Sequence, residues 1–439
     1  MQYTYESSKL YWLKLIGQEY RPSPMECPKP LLVFLAGIFP KWVWYVLAVV
    51  ALVLICVCLC KIAKYFTGSI VPGLVAAFLY FFANNVFGDP FLVVSIPYTL
   101  FPLMAITAYI HKKHTICGVL LLFAGLLRPE FWLLSATFVL SRVRQFKLRY
   151  VIPMLAPVLW VLFDLCLSGG TDMMYSSHLT SNYAIVTGLF PIGINSYVHI
   201  MNAYLFKWYG GFVIVAGLVV GVIHIIGAVV HKFRGKSIEN YYDINAIGAL
   251  MALALTTILF YAIGAVDCRF FIYPRFFEPV ALVLYLLLAM AIFRLNNKKI
   301  VLVVYLVLCI TSINMENIEA IYKGRIEMVQ RLRTLRQVEA YLDQCDLSAR
   351  RVVTGDCMDF LSLRYGPEVS RNMVIVKEFR GKISEARSGD WFVWIIGETN
   401  FSGLAFEFLD RGMTQTFMGK TFELKYASDN GRGFVYEVK

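Results

Sequence analysis

Apolar residues fill most of the first three quarters of the chain in long unbroken stretches. These stretches lie at about 41–62, 68–86, 91–110, 150–168, 209–231, 244–265, 272–293 and 299–314. A helix needs roughly 20 apolar residues to cross about 30 Å of hydrocarbon, and each stretch reaches or approaches that length. The pattern therefore predicts a mainly α-helical fold, with a polytopic transmembrane bundle over residues 41–316.

The composition agrees with this pattern and excludes an ordinary soluble protein. Of the 439 residues, 59% are hydrophobic and 16% are charged, and the mean hydropathy is +0.63. Soluble domains carry about 25% charged residues. The ten cysteines lie mostly in apolar runs and show no zinc-type CxxC spacing, so they indicate packing residues rather than a metal cluster.

The stretch 115–141 is interrupted by GLLRPEFWLL, which places Arg128 and Glu130 among apolar residues. It can form one long helix, or two short helices that meet at the Arg-Pro-Glu sequence. Pro129 disfavours helix at the preceding residue. Only the paired arrangement keeps the basic loops at 61–64, 111–114, 141–149, 232–236 and 294–299 on one side of a membrane. We therefore predict a short re-entrant helix pair with its turn at the mouth of a cavity.

This arrangement predicts that both chain ends are extracytoplasmic. Residues 1–40 form an N-terminal loop with an interfacial helix at 29–39, and the long loop at 169–208 lies on the same side. The basic loops account for much of the net charge of +12. The basic run at 141–149 is read as facing anionic lipid rather than nucleic acid. We predict a multi-pass protein of the plasma membrane, specifically a bacterial inner membrane.

From residue 317 to 439 the composition becomes that of a soluble domain. A charged, helical periodicity at 324–344 precedes strand candidates at 351–355, 391–397 and 433–439. Alternation of helices and strands predicts a small α/β domain on the extracytoplasmic side.

Charged residues at membrane depth mark functional sites, because their insertion costs roughly 2.5–3.5 kcal/mol each. A carboxylate can act as a general base or hold a divalent cation, and an arginine can clamp a phosphate. The candidates on the outer side are Glu6, Asp89, Arg128, Glu130, His178, Asp267, Arg269, Tyr273, Arg275 and Glu278.

Each of several of these residues can also have a purely structural role. Arg128 and Glu130 can be a structural ion pair, Asp89 can cap the helix that starts at Pro90, and Arg275 can pair with Glu278 one turn later. Glu6 and His178 can be solvated residues without a role. These alternatives do not by themselves exclude a catalytic site.

Several stretches, taken in order, resemble the polytopic glycosyltransferases of the GT-C superfamily, including aminoarabinose and protein mannosyl transferases. The N-terminal sequence from Glu6 to Phe39 is similar to the first outer loop of the family, with glutamate where the family usually has aspartate. GDPF matches the second outer acidic position at Asp89. GLLRPEFW is similar to the family's RPE segment, and YPRFFEP places Arg275 on a family arginine.

The resemblance implies transfer of a sugar from a polyprenyl-phosphate donor to an acceptor glycan, lipid or protein. It gives Glu6 and Asp89 the catalytic role, with a divalent metal ion as a possible cofactor there, and gives Arg128 and Arg275 the donor phosphate. The family also has a transmembrane helix before its first outer loop, so either the chain starts further upstream or this member is shortened. The resemblance covers nearly the whole chain, but each motif is short.

Two rival functions come from other classes. A transporter or flippase of a lipid-linked or anionic substrate would use the same arginines and need no base. Transporters often contain two related halves with broken helices, and this sequence has one broken segment without a second copy. A membrane scaffold that presents the outer domain is the third reading, and it leaves the charges at membrane depth unexplained.

Overall fold

The structure, a computed structural model, describes most of the chain in separate segments. These are residues 2–20, 29–83, 92–145, 147–168, 197–198, 211–234, 243–266, 277–312, 315–347, 350–354, 358–375, 386–395, 414–417 and 419–439. The chain divides into two compact units. We call Met1–Lys41, Asp164–Ile185 and Lys323–Lys439 the sheet unit, and Trp42–Phe163 with Val186–Tyr322 the helical unit.

Two N-terminal helices pack against each other within the sheet unit. They are α1 (Gln2–Leu15) and α2 (Pro30–Ile38), and the second agrees with the helix predicted at 29–39. Trp12 lies directly over Gly37, where an added Cβ would come within 2.3 Å of the indole ring. Lys9 donates to the Gly37 carbonyl oxygen at 3.3 Å. The glycine therefore lets the two helices approach closely.

The helices of the helical unit follow the apolar stretches of the sequence. They are α3 (Lys41–Thr67), α4 (Val71–Ala83), α5 (Leu92–Ile110), α6 (His114–Leu127), α7 (Phe131–Ser141), α8 (Leu155–Ser168), α9 (Gly211–Phe233), α10 (Ile244–Val266), α11 (Glu278–Phe293) and α12 (Lys298–Ser312). Short 3₁₀ segments at Val143–Gln145 and Leu148–Met154 lead into α8.

Four helical stretches among the described residues are long and apolar enough to cross a membrane. They are Lys41–Thr67, Leu148–Leu167, Val213–Phe233 and Ile244–Ile263. Other apolar helices, such as α4, α7 and α11, are shorter. Helix α3 exposes Val49 and Val53 at 61% and 57%, whereas α11 is buried from Glu278 to Met290. Apolar surfaces on the outside and a buried central helix indicate a lipid environment.

The interrupted stretch at 115–141 forms two helices, as the paired arrangement predicted. Helix α6 has 14 residues and α7 has 11, so they are about 21 Å and 16 Å long. Neither spans roughly 30 Å of hydrocarbon. The Arg-Pro-Glu turn therefore lies at the closed end of a helix pair.

Helix α13 (Met315–Leu342) enters the sheet unit at Lys323, and this unit also contains α14 (Met358–Asn372) and a small mixed sheet. The strands are β1 (Val352–Thr354), β2 (Met373–Ile375), β3 (Trp391–Ile395), β4 (Thr414–Phe417), β5 (Lys420–Ala427) and β6 (Gly433–Val438). Their order across the sheet is β2-β1-β3-β6-β5-β4. Strands β2, β1 and β3 are parallel, and the remaining pairs are antiparallel.

Both faces of the central strands are buried. Val393 and Ile395 of β3 join a core with Val338 and Leu342 of α13, while Phe392 faces the second core on the opposite side. Because successive side chains of a strand point to opposite faces, β3 reads as a continuous apolar run. The strands predicted near 351, 391 and 433 are all present. The prediction missed β2, β4 and β5.

Candidate functional site

The turn between α6 and α7 places Arg128 and Glu130 side by side. Arg128 follows the last residue of α6 and has an extended backbone, as expected for a residue before proline. The amide of Phe131 donates to the Arg128 carbonyl at 3.3 Å, and the amide of Trp132 donates to the Pro129 carbonyl at 2.9 Å. The proline thus ends one helix, and a compact turn starts the next.

Arg128 and Glu130 form a buried ion pair, and Tyr261 of α10 joins it. Arg128 Nε lies 2.5 Å from Glu130 Oε1. Arg128 Nη2 donates to Tyr261 Oη at 2.8 Å, and this hydroxyl donates to the same Glu130 oxygen at 2.8 Å. The arginine and glutamate side chains are 8% and 3% exposed. We call this closed arrangement the Arg128–Glu130–Tyr261 triangle.

Aromatic and backbone contacts hold the triangle in place. The guanidinium carbon of Arg128 lies 4.8 Å from the centroid of the Tyr98 ring, which is a cation–π distance. Trp132 Nε1 donates to the Gly125 carbonyl at 3.0 Å and so joins α7 to α6. A Cβ on Gly125 would lie 2.7 Å from the Cβ of Ala156, so this glycine permits the close approach of α6 and α8. The arginine is therefore fixed from several directions.

Glu278, at the start of α11, adds a second buried carboxylate. Thr99 of α5 donates to Glu278 Oε2 at 3.3 Å. Glu278 also interacts electrostatically with Arg128 and with Tyr80, which is fully buried. A carboxylate at the first turn of a helix is favoured by the helix dipole. The structure thus brings Arg128, Glu130 and Glu278 into one charged cluster.

This cluster is costly for the fold. The effective penalty for desolvating an ion is several kcal/mol, and the attraction within a buried pair often fails to exceed what apolar side chains would contribute. A buried, hydrogen-bonded group of charged side chains at a helix turn has the features of a functional site.

Glu6 belongs to the sheet unit. Lys41 Nζ lies 2.9 Å from Glu6 Oε1, and the glutamate side chain is 11% exposed. The carboxylate borders a polar cavity of about 460 Å³ that is also lined by Arg336, Glu339 and Arg364. Burial raises the pKa of Glu339, and burial together with the neighbouring Glu6 charge raises the pKa of Tyr5. Glu6 is therefore a buried, paired carboxylate rather than a solvated one.

The other predicted site residues lie outside the described part of the chain. They are Asp89, His178, Asp267, Arg269, Tyr273 and Arg275. Their roles stay predictions from the sequence.

Several residues in the cluster could not be identified from the sequence. Tyr261 lies within an apolar span, and Tyr98, Thr99 and Tyr80 lie within others. A hydroxyl inside an apolar run is compatible with simple packing, so composition and spacing do not single it out. Only the position of α10 and α5 around the Arg-Pro-Glu turn reveals these partners.

No group of three or more His, Cys, Asp or Glu side chains arranged for a metal ion occurs among the described residues. The ammonium group of Lys41 already neutralises the carboxylate of Glu6, which does not favour a cation on that side chain. A divalent metal held by Glu6 and Asp89 therefore stays a prediction. Comparison with known proteins adds no assignment, since no family model and no curated protein matches this sequence.

Proposed function

We propose that this protein is a polytopic membrane glycosyltransferase. It would move a sugar from a polyprenyl-phosphate donor to an acceptor on the extracytoplasmic face of a plasma membrane. The observation that carries the proposal is the buried Arg128, held by Glu130 and Tyr261 at the turn of two helices too short to cross a bilayer. Such a turn is tolerated at membrane depth where it is buried in protein or lines a cavity.

The fixed guanidinium suits recognition of a phosphate. Arginine has five N–H donors in one plane, and this fork matches the oxygens of a phosphate. Glu130 and Tyr261 hold two of its nitrogens, while the Tyr98 ring supports the plane. An arginine that is already oriented stabilises charge that develops on a leaving phosphate without reorganisation during the reaction. Arg275 is the second phosphate-binding residue in this proposal.

The proposed reaction is a direct displacement with inversion. The acceptor hydroxyl oxygen attacks the anomeric carbon, and the bond between that carbon and the phosphate oxygen breaks. The bonding electrons leave with the polyprenyl phosphate, and a carboxylate takes the hydroxyl proton. Asp89 is the first candidate for this base and Glu6 is the second. Glu130 acts as a positioning residue for Arg128.

The test is sugar release from a polyprenyl-phosphate hexose with a radiolabelled sugar, using the purified full chain and a membrane extract as the acceptor source. We expect turnover by the native protein. Arg128→Ala should lower the rate by about 10²–10³-fold, the usual effect of removing a group that stabilises transition-state charge. Asp89→Ala should abolish turnover. Arg350→Ala, which removes an exposed arginine of the sheet unit, should leave the rate unchanged.

Two outcomes contradict the proposal. Donor binding without turnover by the native protein favours the transporter or flippase, since that function needs the arginine and no base. Failure to bind the donor removes the glycosyltransferase assignment altogether.

A further inference from the structure

We infer that the end of the α6–α7 pair opposite the Arg-Pro-Glu turn binds an anionic phospholipid. Its acyl chain would enter an apolar cavity, and its phosphate would meet Arg142. Because α6 is 14 residues long, this end lies about 20 Å from Arg128. The inference requires that the apolar helices lie in a bilayer, and it does not depend on the glycosyltransferase proposal.

The cavity lies between four helices of the helical unit. It has a volume of about 270 Å³ and is bordered by α5, α6, α7 and α10. Its walls are mostly apolar and include Ile106, Leu121, Phe138 and Ala249. Whole-ligand pockets measure roughly 300–1,000 Å³, so this cavity suits part of an acyl chain rather than an entire molecule.

Arg142 stands at the edge of this cavity. It directly follows Ser141, the last residue of α7, and Ser141 lines the cavity. The guanidinium carbon of Arg142 lies 5.0 Å from the ring centroid of Tyr109, which also lines the cavity. Arg142 Nε is buried and has no hydrogen-bond partner in the part of the chain that the structure describes. A buried donor without a partner is costly, and a phosphate oxygen would satisfy it.

His114 places a second polar nitrogen beside the same tyrosine. Its ring centroid lies 5.5 Å from that of Tyr109. Its Nδ1 is also buried without a hydrogen-bond partner among the described residues. Arg142 and Arg149 both act electrostatically on this histidine, so positive charge converges on it. Arg142, Arg149 and the His114 imidazole thus form a group of polar and positively charged side chains next to the apolar cavity.

Among the described residues, the acidic side chain at the start of α10 is already hydrogen-bonded. The carboxylate of Asp243, at the start of α10, accepts a hydrogen bond from Tyr65 at 2.7 Å and from the amide of Asn245 at 2.9 Å. It is therefore already engaged. Further basic residues lie in the connection between α5 and α6, namely Lys112 and Lys113, and in the connection between α7 and α8, namely Arg144 and Lys147. Basic pockets between membrane helices attract anionic headgroups, at about 1 kcal/mol for each nearby Lys or Arg.

The apolar cavity and the basic residues beside it together indicate which class of ligand binds. Free phosphate would use the arginine and leave the cavity empty. An uncharged lipid would use the cavity and leave Arg142 Nε without a partner. A phospholipid satisfies both, and the further basic residues at this end favour one whose headgroup carries a net negative charge.

Gly248 provides a variant that fills the cavity without a clash. It lines the cavity, and an added Cβ at this position would meet no atom within 4 Å. Gly248→Leu should therefore occupy the space meant for the acyl chain and leave the fold intact. Replacing a glycine within a helix generally stabilises that helix.

The experiment is lipid titration of the purified full chain in neutral detergent, read by native mass spectrometry and by melting temperature. Dioleoyl phosphatidylglycerol and dioleoyl phosphatidylcholine have the same chains and differ in headgroup charge. We expect the anionic lipid alone to remain bound and raise the melting temperature. Arg142→Ala should weaken its apparent affinity at least about fivefold. Gly248→Leu should weaken it comparably, and Arg144→Ala, on the same connection, should weaken it clearly less than Arg142→Ala does.

The inference is overturned if both lipids bind alike, or if inorganic phosphate protects as well as the anionic lipid. It is also overturned if Arg142→Ala and Arg144→Ala reduce binding equally, because the attraction would then be a diffuse surface effect. Should Arg142→Ala fail to fold, Gly248→Leu decides the question. Unchanged lipid binding by folded Gly248→Leu would exclude the cavity.

Discussion

Two arginine–carboxylate pairs, one in each unit, have the same chemistry and opposite surroundings. In the helical unit, Arg128 and Glu130 are 8% and 3% exposed. In the sheet unit, Arg364 and Asp343 are 44% and 41% exposed and lie 2.5 Å apart. Exposed pairs contribute about 0–1 kcal/mol, whereas a buried pair must first offset the loss of hydration of both ions. Stability explains the exposed pair adequately, but it does not explain the buried one.

The largest effect should come from breaking the buried pair on one side. Arg128→Ala leaves Glu130 charged and buried, so we expect it to lower the free energy of unfolding by about 3–5 kcal/mol. Thermal unfolding of the purified protein in detergent would measure this. A loss below about 1 kcal/mol would mean that water reaches Glu130 and that the pair behaves like the exposed one.

An intermediate effect is expected at Asp390 of the sheet unit. Its side chain is 6% exposed, and it accepts hydrogen bonds from Arg351 Nη2 at 2.7 Å and from the Arg387 amide at 2.7 Å. Arg351 is 28% exposed, so this pair lies between the other two in burial. We expect Asp390→Ala to cost about 1.5–3 kcal/mol, the range for hydrogen bonds to charged groups. If Asp390→Ala lowers the free energy of unfolding no more than Arg364→Ala does, the cost of breaking a pair does not increase with its burial.

The smallest effect is expected at the exposed pair itself. Arg364→Ala should lower the free energy of unfolding by less than about 1 kcal/mol, and added salt should reduce the difference further. Hydrogen bonding from Arg364 lowers the pKa of Asp343. The contribution of this pair is therefore present above the unfolded pKa of an aspartate, roughly 3.9, and is lost as the pH falls below it.

Matched unfolding curves at pH 6 and near pH 3 would check this dependence. The native protein should lose slightly more stability on acidification than Arg364→Ala does. An equal or larger loss in the variant would contradict the assigned cause.

The sequence predicts contacts between neighbouring residues better than contacts between residues that are far apart in the chain. Pro129 acts on its direct neighbours, so the helix pair and its turn follow from a few residues. Tyr261 is about 130 positions away in the chain, and its hydroxyl meets Glu130 only through the packing of α10. No local pattern carries that information.

The sheet unit gives the same lesson. Strand β3, buried on both faces, and β6 have clear apolar patterns, whereas β2 has three residues and β4 has four. Short strands such as these depend on their neighbours for pairing, and their own sequences carry little signal. Glu6 likewise looked solvated or catalytic from the sequence, and its partner Lys41 becomes evident only when α1 and α2 pack together.

The central claim is that the Arg128–Glu130–Tyr261 triangle is retained for substrate chemistry rather than for stability. The most direct test is the triple variant Arg128→Met, Glu130→Leu and Tyr261→Phe, which replaces the whole triangle by apolar side chains. We predict a melting temperature at or above that of the native protein, because buried ion pairs are often replaced without loss, together with complete loss of sugar transfer. A folded triple variant that transfers sugar at the native rate would contradict the claim.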